Sequence, residues 1–76
     1  MIDETQHLAE ADRHIAAAEH LLTEQELRLQ ELKAAGRITT EAERLLANMR
    51  ATLKEMYIHR QLIVNEIIRQ QNLPHS

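Results

Sequence analysis

Cysteine, phenylalanine and tryptophan are missing from this 76-residue chain, and glycine, proline and tyrosine occur once each. The lack of cysteine excludes disulfide staples, thiolate zinc sites and cysteine nucleophiles together. With Tyr57 as the lone aromatic, a core has to be assembled from Leu, Ile, Val, Met and Ala. That set suits helix packing and serves a small sheet poorly. A single Gly and a single Pro leave almost no turn chemistry, so the elements must be few and long. No apolar run approaches the roughly 20 residues of a membrane span. The segment Met1-Ile2-Asp3-Glu4 is acidic and lacks the apolar stretch of a secretory signal. A soluble, cytoplasmic protein with no membrane contact is expected.

The net charge of −3 argues against general phosphate binding and conceals an asymmetry. Residues 1–35 hold eight acids and three bases, a balance of −5. Residues 36–76 hold four acids and six bases, a balance of +2. Opposite signs of this kind suit two helices lying side by side, although exposed pairs add little each.

The apolar pattern divides at the same place. In the first half Leu8, Ala11, Ile15, Ala18, Leu22, Gln25, Leu29 and Leu32 alternate spacings of three and four, which is one stripe of a helix. Asp3 followed by Gln6 offers an N-terminal capping pair. Gly36 suits the left-handed position that closes many helices, with Lys33 favourably placed at the carboxyl end. Thr40 and Glu43 form a Ser/Thr-x-x-Glu capping box, with Thr39 as the alternative cap, and Ile38 is expected to fold back over the next turn. A second stripe then runs through Ala42, Leu46, Met49, Leu53, Met56, Arg60, Ile63 and Ile67, and Pro74 marks the latest end. These signals predict an all-α fold in a single domain: a helix over about 4–35, a turn over about 36–39, a helix over about 40–71 and a short tail at 72–76. So short a connection makes the helices antiparallel neighbours. Folding one on the other suggests a register with Ile15 against Ile63, Leu22 against Met56, Gln25 against Leu53 and Ala18 against Arg60.

Apolar residues also lie beyond the stripes. Tyr57, Ile58, Leu62, Val64 and Ile68 surround the second helix, and Leu21, Leu27 and Leu45 lie beside their own stripes. At about 25 cal/mol per Å², leaving them wet would forfeit several kcal/mol that a small domain can hardly spare. The expected remedy is a symmetric homodimer, a coiled-coil-like four-helix bundle whose interface includes Leu21, Leu45, Tyr57, Ile58, Leu62, Val64 and Ile68.

Candidate chemistry is sparse. His7 and His14 are two helical turns apart, and His14 and His20 point different ways. His59 follows Glu55 by four residues, whereas carboxylate-bridged bundles use Glu-x-x-His. In the suggested register His14 lies near His59 or Glu66, which leaves a weak case for a surface metal site and a stronger one for solvated histidines that make an interface pH-sensitive. Gln25 and Arg60 interrupt the apolar stripes. They read either as ligand contacts or as polar residues that fix register and oligomer state, and Arg60 has room beside Ala18 to reach Glu19 or solvent. Arg44, Arg50, Lys54, Arg60 and Arg69 scatter over the second helix without an aromatic stacking platform. RNA binding in the manner of the Rop-type plasmid regulators therefore rests on fold analogy alone. No nucleophile or acid–base pair sits in a shelter that catalysis requires.

The residues Arg13-His14-Ile15, Gln25, the run Gly36-Arg37-Ile38-Thr39-Thr40-Glu41-Ala42-Glu43-Arg44-Leu45-Leu46, and His59-Arg60 resemble a family of short uncharacterised proteobacterial helical-hairpin proteins. Ile38 departs from the polar residue expected in such a connection. The resemblance covers most of the chain and implies the hairpin, with no assigned activity. Together these readings predict a non-enzymatic interaction module or small regulator without cofactor or metal. Its expected partner is a second copy of itself, with an unidentified protein as a further partner.

Overall fold

The computed structural model describes residues 3–72, which form two α-helices, α1 (Glu4–Ala34) and α2 (Thr40–Gln71). They pack side by side as an antiparallel hairpin, and no strand occurs among the described residues. Pro74, proposed above as a stop signal, lies outside them. Among the described residues no helix is long and apolar enough to cross a membrane.

Each helix end has a local cause. Asp3 is extended, and its carboxylate accepts the Gln6 backbone N–H at 2.9 Å, satisfying one of the free donors of the first turn. At the other end of α1 the Arg37 N–H donates to the Leu32 carbonyl at 2.9 Å, and the Gly36 N–H donates to that of Lys33 at 3.0 Å. These two bonds define a Schellman closure, with Gly36 at φ 68 in the left-handed position. The start of α2 is different from the expected capping box. Thr39, the alternative cap named above, occupies the cap, and Thr40 is already the first helical residue. Thr39 has ψ near 0 rather than an extended backbone, and its hydroxyl makes no capping bond. Its carbonyl instead accepts the Glu43 N–H at 2.8 Å. Ile38 does not fold back; it is 88% exposed.

Both stripes meet along one seam. Ala11, Ile15, Leu46 and Ile63 are buried, and every other residue of the two stripes, Gln25 and Arg60 included, is half-buried. Among the described residues no side chain is completely enclosed. Two rods touching along a line permit little more, because each offers only a narrow strip to the other.

The register departs from the one suggested by the stripes. Arg60 reaches Asp12, Tyr57 reaches Glu19, and Arg50 reaches Glu26. Arg37 is the midpoint of the five-residue connection 35–39, and facing positions in an antiparallel hairpin lie equally far on either side of it. Arg60 therefore sits about one turn nearer the N-terminus of α1 than Ala18. Glu19, proposed for Arg60, is taken by Tyr57.

A Cβ added at Gly36 would meet nothing within 4 Å, so only its positive φ resists substitution. Gly36→Ala should cost about 1–2 kcal/mol in urea unfolding at fixed protein concentration, the usual penalty of a left-handed L-residue. Gly36→Asn should cost less, since Asn visits that region more readily. Equal stability for Gly36→Ala would show that this closure does not govern the turn.

Candidate functional site

The hairpin has two unlike flanks. On the first, Asp12, Glu19 and Glu26 recur every seven residues along α1, and Arg50 and Tyr57 recur at the same interval along α2. Such spacing keeps them on one side of the seam. The Tyr57 hydroxyl donates to Glu19 Oε2 at 2.6 Å, Arg60 Nε donates to Asp12 Oδ1, and Arg50 Nη2 lies 3.6 Å from Glu26 Oε2. These bonds bridge the helices and leave this flank polar and closed. The hydrogen bond to Glu19, with smaller contributions from desolvation and the neighbouring negative charge, holds the Tyr57 hydroxyl above its ordinary pKa.

The opposite flank is open. Its half towards the termini is a groove lined by His7, Ala11, His14, His59 and Ile63, with Glu4 and Glu10 at its edge. Towards the connection it continues past Ala18, Leu21, Leu45, Met49, Thr52 and Met56, with Arg28 at its far end. Ala11 and Ala18 create the depression, because a methyl group cannot fill the space that Leu or Met would occupy. Leu21 and Leu45 stand beside it half exposed. Leu62 follows Glu55 by seven residues; Glu55 lines the groove, so Leu62 lies on the same side.

The seven residues assigned to a dimer interface thus do not share one surface. Leu21, Leu45 and Leu62 belong to the open flank. Tyr57 is committed to Glu19 on the closed flank, and Val64 follows it by seven residues and is half-buried. Ile58 lies about 200° around α2 from the seam residue Met56 and faces outward, and Ile68 sits one residue beyond seam residue Ile67, outside the groove. The two polar stripe residues do bridge the helices: Gln25 Nε2 donates to the Ala42 carbonyl at 3.2 Å, and Arg60 pairs with Asp12. Sequence reasoning missed the Tyr57–Glu19 and Arg50–Glu26 bridges, whose signal was the seven-residue recurrence of acids on α1 opposite Arg50 and Tyr57 on α2.

His14 and His59 line the same stretch of groove. Among the described residues, however, no group of three or more His, Asp or Glu side chains is arranged to hold a metal ion. His20 lies apart, 3.0 Å from Glu24. The cations of α2 are largely engaged within the chain: Arg44 with Glu41, Arg50 with Glu26, Arg60 with Asp12 and Arg69 with Glu66. Arg69 donates to Glu66 and thereby holds that carboxyl below the ordinary carboxylate range. No family model matches this chain, and no significant match to it is found among curated proteins or solved structures.

The raised pKa of Tyr57 has a definite sign. Its contribution to stability is present below the ordinary phenol pKa near 10 and is lost as pH rises through the higher folded value. As the only aromatic, Tyr57 can be followed directly by ultraviolet absorbance. The titration midpoint should lie above that of a free phenol and return towards it in Glu19→Ala; an ordinary midpoint in the unaltered protein would contradict the Tyr57–Glu19 bond.

Proposed function

We propose that this chain is a non-enzymatic, cytoplasmic interaction module whose first partner is a second copy of itself, the two hairpins forming a four-helix bundle. The observation that carries the reading is surface area. A folded monomer of this mass exposes about 4,800 Å² by the usual scaling. The whole 76-residue chain exposes 6161 Å² for 8.8 kDa. The excess is on the order of 1,400 Å², comparable to the area one partner covers in an obligate homodimer. Viewed from the unfolded chain, the hairpin hides roughly half of its surface where even a 60-residue domain hides about 60%.

The exposed surface is also of the kind that seeks cover. Leu21, Leu27, Leu45, Tyr57, Ile58, Leu62 and Ile68 are all substantially exposed. Leu21, Leu45 and Leu62 share the open flank, and apolar side chains gathered on one side of a small protein mark an interaction site. Binding of structured RNA is disfavoured by the internal pairing of the α2 cations, since a phosphate would have to displace a carboxylate to reach four of them.

Light scattering coupled to size exclusion at micromolar concentration tests the proposal. The expected mass is twice the 8.8 kDa of one chain. A helical, cooperatively folding species of single-chain mass would overturn it.

A further inference from the structure

The dimer reading leaves open which surface the second copy covers and in which direction it runs. We propose that it seats on the open flank, with the two hairpins antiparallel about a two-fold axis near Ala18 and Met56. This inference rests on the proposed self-association and adds the face and the orientation.

Three observations point to this flank. First, its shape offers both hollows and projections. The groove carries hollows over Ala11 and Ala18, and beside them the half-exposed side chains of Leu21 and Leu45. In a two-fold arrangement each copy supplies the projections that the other's hollows need. Small residues facing large ones also let helices approach within the 8–10 Å of close packing.

Second, the charges are placed for an antiparallel match. Glu4 and Glu10 line the groove at the end bearing the termini, Glu55 lines its middle, and Arg28 lines the end bearing the connection, where the neighbouring Glu24 stands 3.0 Å from His20. Glu4 is 3.7 Å from His7, and among the described residues neither Glu10 nor Arg28 has an ion-pair partner. Reversing one hairpin on the other brings each Arg28 over the acids of its partner. A parallel arrangement would set Arg28 against Arg28 and every acid against its own copy, whereas the antiparallel one does so only for Glu55, next to the axis residue Met56.

Third, the alternative flank is already occupied. Docking there would bury the Arg60–Asp12, Arg50–Glu26 and Tyr57–Glu19 bridges, and desolvating such charges is costly. The open flank exposes apolar atoms from both helices and has no ion pair bridging α1 to α2 among the described residues.

Because the chain contains no cysteine, single-cysteine variants carry unique spin labels. Glu55 and Lys54 are adjacent in sequence yet lie on the open and the closed side, about 100° apart around α2. Arg37 reports orientation. In full-length protein shown by light scattering to be dimeric, pulsed dipolar spectroscopy should give a shorter label separation for Glu55→Cys than for Lys54→Cys. For Arg37→Cys it should exceed about 40 Å, since the connections lie at opposite ends of helices rising 1.5 Å per residue. If the label at Glu55 instead makes the protein monomeric while that at Lys54 leaves it dimeric, the open flank is equally identified. A dimer in which the Lys54 labels are closer overturns the face. A dimer with a short Arg37 separation overturns the orientation. A single-chain mass for the unlabelled protein overturns the self-association beneath both.

Discussion

Two rods lying together share one line of contact, and that geometric limit governs everything else in this molecule. An amphipathic helix of some 30 residues can turn only a narrow strip towards a single neighbour. Here the strip delivers four buried residues, Ala11, Ile15, Leu46 and Ile63, and leaves the rest of both stripes half-covered. The sequence holds no cysteine and one aromatic, and among the described residues there is no third element to add burial. In the proposed dimer the surplus of Leu and Ile outside the seam becomes intelligible, as the second half of a core whose other wall is another copy.

The two flanks divide the labour. Heptad-spaced acids on α1 meet Arg50, Tyr57 and Arg60 from α2 and bridge the helices on one side. Individually such exposed pairs stabilise little, but as a row they make that side polar and disfavour apolar docking there. The other flank lacks such bridges and is concave, because alanine stands where bulk would be needed to fill it. A pattern that is polar on one edge and greasy on the other allows association while discouraging open-ended stacking, in which every face would find a partner.

Much of the fold is legible in the residues themselves. The three-four spacing fixes which side chains enter the seam, and Gly36 in a connection of five residues makes the two helices antiparallel neighbours. The axial offset is a different matter. A slip of one turn exchanges equivalent places in a heptad and leaves both stripes facing each other, so the pattern alone does not distinguish the offset placing Arg60 beside Ala18 from the one placing it near Asp12. The midpoint of the connection decides it. Capping was legible in part: Asp3 caps α1 through Gln6 and Thr39 is the cap of α2, but the Thr40–Glu43 box does not form, because such spacing says nothing about the backbone angle at the cap and Thr39 is helical rather than extended. For the candidate surface, the count of surplus apolar residues was readable, while their division between flanks was not. Tyr57 looks like an interface anchor until its hydroxyl is seen to be committed to Glu19.

The measurement that bears most directly on this account is thermal unfolding, followed by helix circular dichroism over a hundredfold dilution series. If the missing wall of the core is another copy, separation and melting are coupled, and the transition must move to lower temperature as the protein is diluted. A cooperative transition that stays at one temperature throughout would mean that a single pair of helices holds itself together, contrary to the account.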